Sequence, residues 1–191
     1  MRIMPIILNS ITVMREKRTK TYNIIVCGLM AAVLCVLAPL AIPTTIPITL
    51  ATFIIFIITY ILDYKYAFVS CLIYILLGIV GMPVFSGYQG GIGKIIGPTG
   101  GYIVGYLLLV LISGYINNKC KSNRLIQMIG MMTGLGVCYA LGTLWFAYQQ
   151  KVSIYGAMTV CVFPFIIGDV LKIAGALAVG NILRKRIDLG H

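Results

Sequence analysis

The chain has 191 residues, of which 60% are hydrophobic and only 10% are charged, and its mean hydropathy is +1.03. Soluble domains carry roughly 25% charged residues, so this composition excludes a soluble globular enzyme and a disordered chain. The net charge of +11 comes from 15 basic and 4 acidic residues. At about 20 residues for each helical crossing, the length suits about six membrane-spanning helices and leaves no room for a separate catalytic or nucleotide-binding domain.

The chain begins with a basic segment, 1–22, whose positive charges are concentrated between residues 15 and 20 and which lacks a cleavage site for a signal peptide. We expect this segment to stay in the cytoplasm. An all-α domain of six transmembrane helices is predicted over 23–183, followed by a basic cytoplasmic tail at 184–191. The six apolar runs cover 23–42, 47–62, 66–81, 99–117, 126–148 and 154–182.

The basic residues predict the orientation of these helices. Twelve of the 15 lie on one side of the arrangement, the side that carries both termini, whereas the other side holds only Lys94 and Lys151, and Lys172 lies within the last run. The positive-inside rule therefore places both termini in the cytoplasm and accounts for the charge without nucleic-acid binding. We predict a multi-pass protein of the cell membrane, surrounded by lipid.

A glycine-rich segment, GMPVFSGYQGGIGKIIGPTGGYIVGY (81–106), holds nine glycines in 26 residues and joins the third and fourth predicted helices on the outer side. Glycines at this density allow tight turns and close approach of the backbone to a ligand; alternatively, they form a flexible re-entrant loop and only let helices pack. The spacing around Lys94 fits neither a P-loop nor a dinucleotide-binding motif. The candidate ligand contacts in this segment are Phe85, Tyr88, Gly90, Gly91, Gly93, Gly97, Gly100 and Tyr102.

Asp169 and Lys172 lie well inside the last apolar run. At positions i and i+3 they share a helix face, and ionisable groups within a membrane are costly and usually face a cavity or a partner. We interpret them as a polar anchor for a ligand; the alternative is an ion pair that only fixes helix packing. No Cys, His, Asp or Glu cluster has metal-binding spacing and no nucleophile has a base beside it, so we predict no catalytic residue, metal or cofactor.

Small residues recur at helical spacing, which lets helices approach closely inside a membrane. Most such pairs pack a single bundle. The pairs are Gly28 and Ala32, Ala31 and Cys35, Gly101 and Gly105, and Gly130 and Gly134.

From residue 24 to 183 the chain resembles BioY, the biotin-specific substrate-binding component of energy-coupling factor (ECF) transporters. The resemblance is carried by GMPVFSGYQGG, GPTGGYIVGY and the late Gly168-Asp169-Val170-Leu171-Lys172, with IPTTIPITLATF (42–53) in support. It implies a six-helix fold, high-affinity capture of biotin from outside, and a partner module made of a transmembrane coupling subunit and two ATPase subunits, so that only the partners use ATP. The family's first helix carries an Ala-xxx-Ala contact for the coupling subunit, and here either Gly28 with Ala32 or Ala31 with Cys35 is the candidate.

The chemistry of biotin suits these residues. Asp169 can accept an N–H of the ureido ring, and a cation, Lys172 or Lys94, can pair with the valerate or with the ureido oxygen. Thr99, in the Gly-Pro-Thr-Gly-Gly string, is a further candidate contact. A substrate-binding component for another vitamin is the alternative within this class. An intramembrane enzyme that uses Asp169 is the alternative from a different class, although no second catalytic group has suitable spacing.

Overall fold

The computed structural model describes residues 3–42, 48–120 and 123–186, which form helices and one short hairpin. Among these residues, four helices are long and apolar enough to cross a membrane, so the expectation of an all-α membrane protein is confirmed at this level. They lie over Lys20–Leu37, Gly100–Lys119, Arg124–Gln150 and Phe163–Leu183. The end of the predicted basic tail, 187–191, lies outside the described residues.

The first helix, α1, runs without a break over Ile3–Leu37, so the predicted basic segment and the first apolar run share one helix. Lys and Arg are good helix formers, so the basic residues that precede the apolar run do not interrupt the helix. A short antiparallel hairpin follows, in which β1 (Ala41–Ile42) pairs with β2 (Ile48–Thr49).

The next two helices, α2 (Ala51–Ile61) and α3 (Tyr64–Ile79), are separated by a turn at Asp63. With 11 residues, α2 is only about 16 Å long, well short of a bilayer. Ten of its residues are buried, and α1, α5 and α8 are among its neighbours. Protein therefore encloses α2, which explains how so short a helix remains apolar on all faces.

The glycine-rich segment is compact where it leaves α3. A tight turn has its tip at Gly87 (φ 72°) and Tyr88 (φ 58°), a left-handed conformation that glycine adopts without strain. Two backbone hydrogen bonds between Phe85 and Gln89 close this turn. The glycines therefore serve the fold of the segment itself.

Hydrogen bonds also fasten this segment to the bundle. The N–H of Gly91 donates to the carbonyl oxygen of Gly78 in α3 at 2.6 Å. After the short helix α4 (Ile92–Ile96), the indole Nε1 of Trp145 donates to the carbonyl oxygen of Gly97 at 2.9 Å. The segment is thus fastened to α3 at Gly91 and to the helix that carries Trp145 at Gly97.

Glycines bring α5 (Gly100–Lys119) and α6 (Arg124–Gln150) into close contact. A methyl group at Gly105 would lie 2.9 Å from the Cys138 sulfur, and one at Gly134 would lie 2.9 Å from the backbone of α5. The predicted role of these small residues in helix packing is therefore confirmed for this helix pair.

The last predicted run, 154–182, is two helices, α7 (Ile154–Cys161) and α8 (Phe163–Arg186). The chain departs from helical geometry at Val162, where φ is −123° and ψ is −57°. Pro164 explains the break because it has no N–H to donate to the carbonyl group of Val160, four residues earlier, so the hydrogen bonding of α7 does not continue into α8.

Candidate functional site

An ion pair on α8, between the buried Asp169 and the half-buried Lys172, forms the polar centre of the site. Asp169 is 3% exposed, and its Oδ1 lies 2.8 Å from Nζ of Lys172, one turn further along. The hydroxyl of Thr52 in α2 donates to the same Oδ1 at 3.3 Å and accepts from Lys172 Nζ at 3.1 Å. The hydroxyl of Tyr139 in α6 donates to Oδ2. Three helices therefore contribute to one carboxylate, whose buried charge is paired and hydrogen-bonded.

The ion pair lines a cavity of about 680 Å³, its open mouth included. Binding sites for small molecules occupy roughly 300–1,000 Å³ and are mostly apolar with a few fixed polar groups. Much of the wall is aromatic, and the rings come from α3, the glycine-rich segment, α5 and α8. They belong to Tyr74, Phe85, Tyr102, Tyr106 and Phe165.

Phe85 is fixed in this wall by its neighbours. Its ring meets the ring of Tyr74 edge to face, with centroids 5.6 Å apart and an interplanar angle of 87°. The other side of the ring lies over Gly78, where a methyl group would overlap it. The absence of a side chain at Gly78 therefore provides the space that Phe85 occupies.

Tyr102 is held through both its ring and its hydroxyl. The ring lies against Gly142 of α6, and the hydroxyl is 3.0 Å from Oγ1 of Thr143. A buried tyrosine hydroxyl needs such a partner, and this contact fixes the ring at the cavity wall.

The predicted ligand contacts divide into two groups. Five line the cavity: Phe85, Thr99, Tyr102, Asp169 and Lys172. The others belong to the same glycine-rich segment but are not among the residues that line it. These are Tyr88, Gly90, Gly91, Gly93, Lys94, Gly97 and Gly100.

Lys94 and Tyr88 illustrate the difference. Nζ of Lys94 donates to Oε1 of Gln89 at 2.7 Å, within the segment, and partial burial lowers the pKa of this lysine. Tyr88 is 61% exposed. Of the two lysines considered from the sequence, it is Lys172 that reaches the cavity.

Several cavity residues were missed at the level of sequence, above all Thr52 and Tyr139. Tyr139 carried a usable signal, because tyrosines of membrane helices concentrate near the interfaces and one in the middle of an apolar run needs a polar partner. Thr52 lies in the 42–53 stretch, where the sequence offers a family resemblance but no sign of a polar contact. The other missed aromatic residues are Tyr74, Tyr106 and Phe165.

The candidate docking residues lie on different faces of α1. Gly28 and Ala32 are exposed, and within the described part of the chain a methyl group at Gly28 would meet nothing within 4 Å. Ala31 is buried at 3% exposure, and Cys35 is half-buried. Of the two small-residue pairs, only Gly28 with Ala32 is open to another helix.

The chain matches known proteins over most of its length. The sequence model of the BioY family covers residues 13–188. The probable biotin transporter BioY of Pyrococcus horikoshii is 38% identical over 120 residues, which make up 63% of this chain and 69% of that protein. The biotin transporter BioY2 of Lactococcus lactis is 32% identical over 157 residues, 82% of this chain and 86% of that protein.

The fold also matches a solved structure. The crystal structure of the S-component for biotin from an ECF-type ABC transporter superposes with a TM-score of 0.79. The two sequences are 26% identical, and the match covers 90% of this chain and 93% of that chain.

Proposed function

This chain belongs to the BioY family, and we propose that it captures biotin from the outer side of the cell membrane as the substrate-binding component of an ECF transporter. It is a transport protein and not an enzyme. The observation that carries the proposal is the ion pair of Asp169 and Lys172 in a cavity walled by aromatic rings. A donor and an acceptor side by side, next to apolar surface, suit a small heterocycle with a ureido group.

The ion pair meets the ureido group of biotin. This group presents N–H donors beside a carbonyl oxygen, so Asp169 can accept from an N–H while Lys172 donates to the carbonyl. Asp169 already accepts from Thr52, Tyr139 and Lys172, and a carboxylate has about four acceptor sites, so one site remains. The valerate carboxylate has no N–H to donate, and in this position it would place a second negative charge beside Asp169.

The valerate extends towards Thr99. Cys138 packs on Gly105 of α5, and the next residue, Tyr139, bonds Asp169, so the carboxylate lies near the level of Gly105. Thr99 is six residues before Gly105, or about 9 Å along the helix axis. That separation suits a biotin molecule whose ureido and carboxylate ends are far apart, with the aromatic wall beside its apolar middle.

The chain crosses the membrane six times, with both termini in the cytoplasm and the glycine-rich segment outside. α7 and α8 together make the sixth crossing, and α2 and α3 are the short ones, with 11 and 16 residues. α2 is enclosed by other helices, so its length need not match the lipid. In this orientation twelve of the 15 basic residues are cytoplasmic.

Transport depends on a coupling subunit and two ATPase subunits that use ATP. The coupling subunit docks on α1 at Gly28 and Ala32, because small exposed side chains let a second helix approach closely.

Isothermal titration of the purified protein with biotin and two analogues tests this function. We expect saturable biotin binding, a large loss of affinity for diaminobiotin, which lacks the ureido carbonyl, and a smaller loss for the methyl ester of biotin. Diaminobiotin has no carbonyl oxygen that could accept from Lys172, so one polar contact of the complex is lost. The opposite ranking would contradict the proposed orientation.

The same titration separates the alternatives. Tight binding of another vitamin with no binding of biotin would favour a different substrate. Recovery of the ligand by mass spectrometry distinguishes capture, in which biotin is unchanged, from an enzyme that uses Asp169.

A further inference from the structure

An open apolar groove lies at the end of α5 opposite to Thr99, away from the cavity. It is lined by Tyr64, Leu111, Ile112, Tyr115 and Ile116. The groove lies where α3 begins and α5 ends, and the two helices approach closely here because Gly114 packs against the backbone of Tyr64. The rings of Tyr64 and Tyr115 meet edge to face, with centroids 6.0 Å apart.

Two lysines lie at the rim of this groove. Nζ of Lys65 is 5.9 Å from the centroid of the Tyr64 ring, and Nζ of Lys119 is 5.3 Å from that of Tyr115. These cation–π contacts hold both ammonium groups near the same pair of rings. Both side chains are exposed, and among the described residues neither lysine forms an ion pair.

The charge at this end of the groove is positive. The acid of the turn, Asp63, is engaged by the side-chain amide of Asn118. Two ammonium groups and one carboxylate therefore lie at this end of the groove, and their net positive charge favours the binding of an anion.

We propose that this groove binds an acyl chain of an anionic phospholipid whose phosphate lies between Lys65 and Lys119. Tyrosine rings prefer the boundary between hydrocarbon and headgroups, and lysines at helix ends extend to the headgroup level. Basic clusters beside membrane helices attract anionic lipids. A helix of another protein fits the apolar groove but leaves both ammonium groups without a counter-charge, so the lysines favour the lipid.

Native mass spectrometry of the full chain tests this site, with dioleoyl phosphatidylglycerol and dioleoyl phosphatidylcholine as probes. We expect the protein to retain the anionic lipid preferentially. Lys65→Gln and Lys119→Gln should each weaken that retention about fivefold, and the double variant should retain both lipids alike. Equal retention of the two lipids by the unaltered protein would overturn the proposal.

Two further experiments distinguish the contribution of the lipid headgroup from that of the acyl chains. Ile112→Trp fills the groove and should remove the preference, while glycerol phosphate, which lacks acyl chains, should not compete. Lys151→Gln removes the same charge at the opposite end of the bundle and should change nothing. An effect of Lys151→Gln equal to that of the rim lysines, or full competition by glycerol phosphate, would rule out a lipid groove. Biotin titration of each variant verifies folding.

Discussion

The Tyr139 hydroxyl in α6 donates a hydrogen bond to Oδ2 of Asp169 in α8, while Lys172 and Thr52 meet the other oxygen of the same carboxylate. Groups from three helices therefore hold both oxygens in place. A carboxylate oriented before the ligand arrives loses less conformational freedom on binding, which favours affinity.

Asp169→Asn should weaken biotin binding about tenfold to a hundredfold, because a charge-assisted hydrogen bond contributes roughly 1.5–3 kcal/mol. The measurement is isothermal titration of purified protein. Asp63→Asn is the matched control, since it removes the same charge from a turn outside the cavity. Equal affinities in Asp169→Asn and the unaltered protein would mean that Asp169 only fixes helix packing.

Tyr139→Phe should weaken biotin binding about twofold to tenfold, because the ring stays while Asp169 loses one of the groups that orient its carboxylate before the ligand binds. Tyr148→Phe, on the same helix but 80% exposed, should bind like the unaltered protein. If Tyr139→Phe also keeps full affinity, the carboxylate is oriented by Lys172 and Thr52 alone.

The parts of the fold that follow from local pattern could be predicted from the sequence. Apolar runs and the basic residues between them predict membrane helices. The spacing of Gly101 with Gly105, and of Gly130 with Gly134, predicts that other helices can approach closely there, and the structure shows that α5 and α6 approach each other at Gly105 and Gly134. The BioY resemblance of the glycine-rich segment is confirmed by the family match. The break at Val162 could have been inferred from Pro164, whose effect on the preceding turn is local.

The rest of the site depends on contacts between residues distant in the chain. Thr52 and Asp169 are 117 positions apart, and no periodic pattern in the sequence predicts their hydrogen bond. For the same reason Lys94 and Lys172 were equal candidates, since only the folded chain shows that Lys94 bonds Gln89 instead. Glycines that serve a turn and glycines that approach a ligand have the same spacing, so the sequence does not separate them.

Gly78→Ala should lower both thermal stability and biotin affinity, because its methyl group would displace the Phe85 ring from the cavity wall. Overpacking of this kind costs roughly 1–3 kcal/mol. Gly28→Ala is the control: its methyl group meets open space and alanine is the better helix former. Thermal denaturation and titration of both variants provide the comparison, and identical behaviour would show that Phe85 relaxes without cost.

Ala32→Trp should leave biotin binding by the isolated protein near normal but abolish ATP-dependent uptake and co-purification with the coupling subunit. The side chain is exposed, so a large group would keep a partner helix away without entering the bundle. Ile129→Trp, on the exposed face of α6, should retain uptake.

Ala31→Trp completes this comparison, because Ala31 is buried and a large side chain there should destabilise the protein itself. Normal uptake by Ala32→Trp would place the docking surface elsewhere.

Gln149→Ala should increase hydrogen exchange across residues 92–99, because the Gln149 amide donates to the carbonyl oxygen of Ile96 at 2.5 Å and helps to fasten α4 to α6. Exchange in α3 should not change. Mass spectrometry of peptic fragments provides the measurement. Unaltered exchange over 92–99 would mean that the Gln149 contact is not needed to fasten α4 to α6.

Trp145 is the single tryptophan of the chain, and its indole nitrogen is bonded to Gly97, where the glycine-rich segment meets α6. Beside its twelve tyrosines the protein therefore carries one indole fluorophore, and it lies at the joint between a long helix and the segment that contributes Phe85 to the cavity. Indole emission shifts with hydration and hydrogen bonding. The emission spectrum of the unlabelled protein thus reports the state of this one joint, without interference from any other tryptophan.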